Sequence, residues 1–141
     1  MDTRPTVDLL SWAGWLIGGE LIVVALVALA RAGFDDLDLF EPVVAVGPLH
    51  ATRLMAFIGL ALGLVIWTGT AGAVDELGLR VVGALMLVAG IVWIIEPDGF
   101  AEWLGTERGD GIHHAAIGAV LVGLSLIPPF RVGRRPTQSD T

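Results

Sequence analysis

The chain has 141 residues, 55% of them hydrophobic and 16% charged, with a mean hydropathy of +0.78 and a formal net charge of −7. Soluble domains run at about 25% charged, so the composition is that of a membrane protein of one domain. The absence of cysteine excludes disulfides, thiolate metal sites and thiol catalysis. The basic residues are all arginine and scattered, which argues against a nucleic-acid partner.

Four apolar runs follow in chain order. The first, from about Leu9 to Ala30, carries Gly14-x-x-x-Gly18 and has Glu20 near its middle. Ala28-Leu29-Ala30 resembles a signal-peptide cleavage site, but the run is too long for a signal core and Glu20 interrupts it, so a retained span is expected. An acidic loop from Arg31 to Pro48 leads to the second run, about Leu49 to Trp67. There His50 and Arg53 are expected on one helix face, ahead of Gly59-x-x-x-Gly63. The third run, about Leu79 to Ile95, ends at Glu96, a candidate ion-pair partner for Arg53. In the loop from Glu96 to Gly111, Phe100, Trp103 and Leu104 recur at helical spacing away from Glu102 and Glu107, as in a short amphipathic helix lying on a membrane surface. The fourth run, about Ile112 to Ile127, is entered through His113 and His114 and carries a fourfold ladder of Gly111, Ala115, Ala119 and Gly123.

Runs of roughly 17–25 apolar residues cross a bilayer as helices, and no alternating barrel pattern is present. The predicted fold is therefore an all-α integral membrane four-helix bundle over residues 1–130, with spans at about 9–30, 49–67, 79–95 and 112–127. A polar tail follows at 131–141. Arg4, Arg80, Arg131, Arg134 and Arg135 fall on one side, against Arg31 and Arg108 on the other, which places both termini in the cytoplasm. Each half reads as span, acidic outer loop and returning span. Gly14 with Gly83, Gly33-Phe34 with Gly99-Phe100, and His50 with His113-His114 are the landmarks of a possible duplication of one helical hairpin.

Ionisable residues inside spans are expensive, and so point to function. Glu20 is expected to be protonated, paired or facing a hydrated gap. Its roles divide between a proton- or cation-exchanging carboxylate and a hydrogen-bonded packing element. His50, Arg53, Glu96, His113 and His114 form a second, outer-side cluster. Imidazoles there suit a haem, a metal ion, a proton relay, or only an interfacial role; adjacent His113 and His114 point about 100° apart, which fits a shared ligand site poorly. The small-residue ladders suit close helix packing inside the bundle or across a homodimer. No catalytic signature is present. The expected function is a structural or accessory membrane protein, packing with itself or a larger complex; a small transporter centred on Glu20 is the alternative, and a haem- or metal-binding subunit a third.

Three resemblances add expectations. The acidic, lysine-free, Gly-, Ala- and Val-rich composition resembles that of proteins from salt-loving archaea, a bias that high-GC bacteria also produce. In having a Glu in span one the chain resembles the four-span small multidrug transporters, though the rest of it does not. The layout is similar to small four-span prokaryotic membrane families, in one of which the last span opens with Asp or Asn, then His, then Gly four residues on. Asp110, His114 and Gly118 match that spacing, while His50 is followed four positions later by Leu54. That likeness implies a fold and no activity.

Overall fold

A computed structural model describes residues 9–33, 38–70 and 76–126, with the side chains of Leu10, Thr70, Glu76 and residues 100–103 set aside. The polar tail, the arginines at 4, 131, 134 and 135, and Phe34, Asp35 and Asp36 lie outside the described residues. The elements are α1 (Leu9–Ala32), β1 (Val44–Val46), β2 (Leu49–Ala51), α2 (Arg53–Thr70), α3 (Glu76–Ile95), α4 (Pro97–Leu104) and α5 (Arg108–Ser125). The protein is mostly helical, as the apolar runs imply.

Local chemistry sets the ends. Gly33, at φ 69°, closes α1 with its N–H on the Leu29 carbonyl, a left-handed C-terminal glycine. The second apolar run does not begin as helix. Gly47, at φ 62°, and Pro48 turn the chain into an antiparallel hairpin that pairs Ala45 with His50. The helix starts only at Arg53, where the Thr52 hydroxyl accepts the Met55 N–H at 3.3 Å as an N-cap does. His50 therefore lies on a strand and shares no helix face with Arg53. At the other boundary α5 starts four residues earlier than its apolar run, because the Asp110 carboxylate accepts the Glu107 N–H at 2.6 Å. The expected third-loop helix forms as α4, closed by Gly105 at φ 64°.

The helices pack as two antiparallel pairs, α1 with α2 and α3 with α5, joined along α1–α5 and α2–α3. The first and last helices thus begin and end at the same end of the bundle, and the hairpin and α4 cap the other. Leu21, Ile66, Leu79, Met86, Ile117 and Leu121 fill the centre. Small residues line the seams at sevenfold spacing, not fourfold. A Cβ on Gly90 would lie 2.6 Å from the Gly111 carbonyl, one on Gly118 2.5 Å from that of Gly83, and those on Gly18 and Gly63 2.9 Å from each other's carbonyls. Seven residues complete two turns to within about 20°, whereas each fourfold step drifts about 40° around the helix. The predicted α5 ladder accordingly leaves the seam. Gly111 and Ala115 meet Gly90, but Ala119 is exposed and a Cβ on Gly123 meets nothing within 4 Å. Gly14 is buried, and Gly59 stands loosely opposite Ala25, at 3.8 Å.

Among the described residues two helices are long and apolar enough to cross a membrane, Ser11–Ala32 and Leu77–Ile95. The apolar part of α2, Arg53–Gly69, is shorter, and the first turns of α5 hold Arg108, Asp110, His113 and His114.

Candidate functional site

Glu20 and His113 come together from the two pairs. Glu20 sits midway along α1 on its edge nearest α5, and its Oε1 lies 3.0 Å from His113 Nε2. The His113 ring is largely covered while the Glu20 side chain is half exposed, 20% against 49%. The other ring nitrogen, Nδ1, is buried without a hydrogen-bond partner. One imidazole thus touches a carboxylate on the flank of the bundle and turns its second nitrogen to the interior.

Asp110 is the keystone of the end above this pair. It is 2% exposed, and its second oxygen accepts the backbone N–H of His50 at 2.9 Å. That bond ties the β-hairpin to α5 across 60 residues of sequence. A buried carboxylate is tolerable when hydrogen bonds replace its lost water, and here two main-chain N–H groups do so. His114 Nδ1 lies 2.8 Å from the Asp110 carbonyl within α5, so that nitrogen donates. Its ring stands edge-on to Trp93, with centroids 4.8 Å apart. His50 Nδ1 is a second buried nitrogen without a partner, 3.8 Å from the exposed carboxylate of Glu107. His50, His113, His114 and Asp110, with Ala25 and Ala28, line a cavity of about 50 Å³.

The expected pairing of Arg53 with Glu96 is not made. Arg53 is 5% exposed and its guanidinium donates to the carbonyls of Ala32, Gly33, Asp38 and Glu41, at 2.6 to 3.1 Å. It therefore caps the C-terminal end of α1, where unsatisfied carbonyls and the helix dipole both favour a cation. Glu96 stands exposed between α3 and α4. A related cap forms at the opposite end of the bundle, where Arg80 donates to the carbonyl and hydroxyl of Ser125 at the end of α5. The outer-side cluster is thus divided: His50, His113 and His114 share one cavity, Arg53 belongs to a helix cap, and Glu96 stands apart.

Sequence reasoning assigned no partner to Glu20, and matched Asp110 to a family spacing without giving it a structural role. An up-and-down bundle makes first and last helices neighbours, and that rule would have pointed Glu20 at the histidines of α5. Among the described residues no group of three or more His, Asp or Glu is disposed to hold a metal ion. The cavity is of water size rather than haem size. No protein-family model, curated protein or solved structure matches the chain.

Proposed function

We propose that the chain is a four-span membrane protein, crossing the bilayer with α1, α2, α3 and α5, and that its Glu20–His113 pair exchanges protons as the centre of a small proton- or cation-coupled carrier. The first part rests on an outer surface that is apolar along every one of these helices. Trp12, Leu16 and Val23 on α1, Ile58 and Leu64 on α2, Leu85 and Val88 on α3, and Val120 on α5 are all exposed. Apolar surface of that extent is unstable in water, and lipid is the solvent that suits it. At 18 residues each, α2 and α5 reach about 27 Å at 1.5 Å per residue, close to the ~30 Å hydrocarbon layer. They pack along α1 and α3 and travel with them. The arginine balance then puts both termini in the cytoplasm and the hairpin and α4 outside.

The second part is carried by one observation, the 3.0 Å contact between a carboxylate and an imidazole on different helices within apolar surroundings. A proton passed from an imidazolium to a carboxylate leaves both groups neutral. The test is proton flux into liposomes holding the full chain and a trapped pH dye, under a potassium-valinomycin potential. Wild type is expected to conduct or couple protons, and Glu20→Gln to lose at least about a hundredfold while staying folded by circular dichroism. Equal flux in a folded Glu20→Gln overturns the reading.

The structural or accessory role is the second reading, favoured by the half-exposed carboxylate of Glu20. A charge on a lipid-facing flank calls for a cover, and a second copy or a larger membrane complex would supply it. Crosslinked dimers lost in Glu20→Gln, with no Glu20-dependent flux, are the result that favours this role.

A further inference from the structure

We infer that the cavity behind His113 is hydrated and forms a proton path from the hairpin end of the bundle to Glu20, by way of Glu107, His50, cavity water and His113. The inference rests on the proton-exchange reading and adds to it the route and the side of entry. Two observations carry it beyond that pair. His50 and His113 each bury an Nδ1 with no hydrogen-bond partner, and both residues line the same cavity. Buried polar atoms in folded proteins are nearly always satisfied, by protein or by ordered water. A cavity of about 50 Å³ has room for a few waters, since each needs about 10–15 Å³ on this measure and two or more polar partners. The groups facing the space are His50, His113, His114 and Asp110. Asp110 has both carboxylate oxygens engaged by backbone N–H groups and His114 Nδ1 is engaged on the Asp110 carbonyl. The Nδ1 atoms of His50 and His113 are the buried ring nitrogens among these groups without a hydrogen-bond partner, and water between them can bridge the two.

The chemistry balances at each transfer. With His113 neutral and protonated on Nε2, a hydronium in the cavity gives a proton to Nδ1, forming N–H there. The Nε2–H bond breaks and an O–H bond forms on Glu20. The products are water, neutral His113 carrying its proton on Nδ1, and a neutral carboxylic acid; rotation of the ring resets it. At the upper end His50 works through one nitrogen. Its Nδ1, 3.8 Å from Glu107, takes the proton of the Glu107 carboxylic acid as the side chains rotate together, leaving carboxylate and imidazolium. It then gives that proton to cavity water, leaving neutral imidazole and hydronium. Glu107 is exposed at the hairpin end, so the path opens on that side.

The test uses His50→Phe, which keeps ring shape and the backbone N–H that holds Asp110 but removes both ring nitrogens. Flux from the hairpin side is expected to fall about tenfold with the Glu20–His113 pair intact. Hydration is read separately with silver ion on two single-cysteine variants of this cysteine-free chain. Ala25→Cys, on the cavity wall, is expected to react faster than Met86→Cys, which is equally buried in the core but off the cavity. Wild-type flux in His50→Phe, or equal silver reactivity at the two sites, overturns the path while the carrier reading stands. Loss of all Glu20 dependence in the parent protein removes both.

Discussion

In the α3/α5 pair a methyl group on Gly90 or Gly118 would press to 2.6 or 2.5 Å from a facing carbonyl oxygen, while in the α1/α2 pair the same test at Gly18 or Gly63 gives 2.9 Å, and Ala25 already stands where the tighter seam has a second glycine. The α3/α5 backbones meet at two points one heptad apart, Gly83 with Gly118 and Gly90 with Gly111. Along α1/α2 the seam loosens toward the hairpin, where Gly59 and Ala25 lie on the wall of the cavity. The tighter pair carries His113 and His114 on a helix that cannot shift sideways without separating backbones. The looser pair contributes Glu20 and the space. The closest packing of small residues is thus on the pair that carries His113 and His114.

The largest effects are expected from breaking the tight seam. Gly118→Ala and Gly90→Ala meet backbone atoms that cannot swing aside, so each is expected to cost about 3 kcal/mol or more, at the upper end of overpacking penalties. Gly18→Ala and Gly63→Ala are expected to cost about 1–2 kcal/mol. Thermal unfolding in detergent, followed by circular dichroism, ranks the four. Equal losses in both pairs would erase the comparison.

Next in size are the two arginine caps. Arg53→Met strands buried carbonyls of Ala32 and Gly33 and is expected to destabilise by about 3 kcal/mol, given ~1–3 kcal/mol for each unsatisfied buried group. Arg53→Lys should recover little, since one ammonium cannot span acceptors that a planar fork reaches. Arg80→Met, at a half-buried cap, is expected to cost about 1 kcal/mol. A double-mutant cycle between Arg53 and Glu96 should be additive within ~0.5 kcal/mol. A larger coupling would restore the ion pair that the sequence suggested.

The helical class and the short α4 were legible before the structure, because long apolar runs and helically spaced aromatics leave few alternatives. The start of α2 was misread for a local reason. Leu49 and Ala51 flank His50 directly ahead of the apolar helix, so hydropathy ran on through them, while Gly47-Pro48 and the Thr52 cap were the signals that separate strand from helix. Arg53 was misread because pairing of charges is what sequence suggests, whereas carbonyls at a helix end are invisible to it. Small residues recur at a spacing of seven in both helix pairs. Gly18 and Ala25, Gly83 and Gly90, Ala56 and Gly63, and Gly111 and Gly118 each stand seven residues apart, a period that the fourfold reading of the sequence did not bring out.

The smallest expected effect separates the two periodicities. On a fourfold ladder Gly123 is equivalent to Gly111 and Ala115, and alanine there should disturb packing as much as alanine at Gly111. On the sevenfold seam it lies about 120° around the helix from Gly111 after three fourfold steps, facing open space. Gly123→Ala should then leave the fold intact and raise stability by about 0.4–1 kcal/mol, since alanine has fewer unfolded conformations to lose. Gly111→Ala, pressed to 2.9 Å from the Gly90 carbonyl, should do the opposite. A loss at Gly123 in detergent-solubilised monomer would mean that α5 is rotated from its position here. A loss only in membranes, with stability in detergent unchanged, would instead place that face against a second copy of the chain.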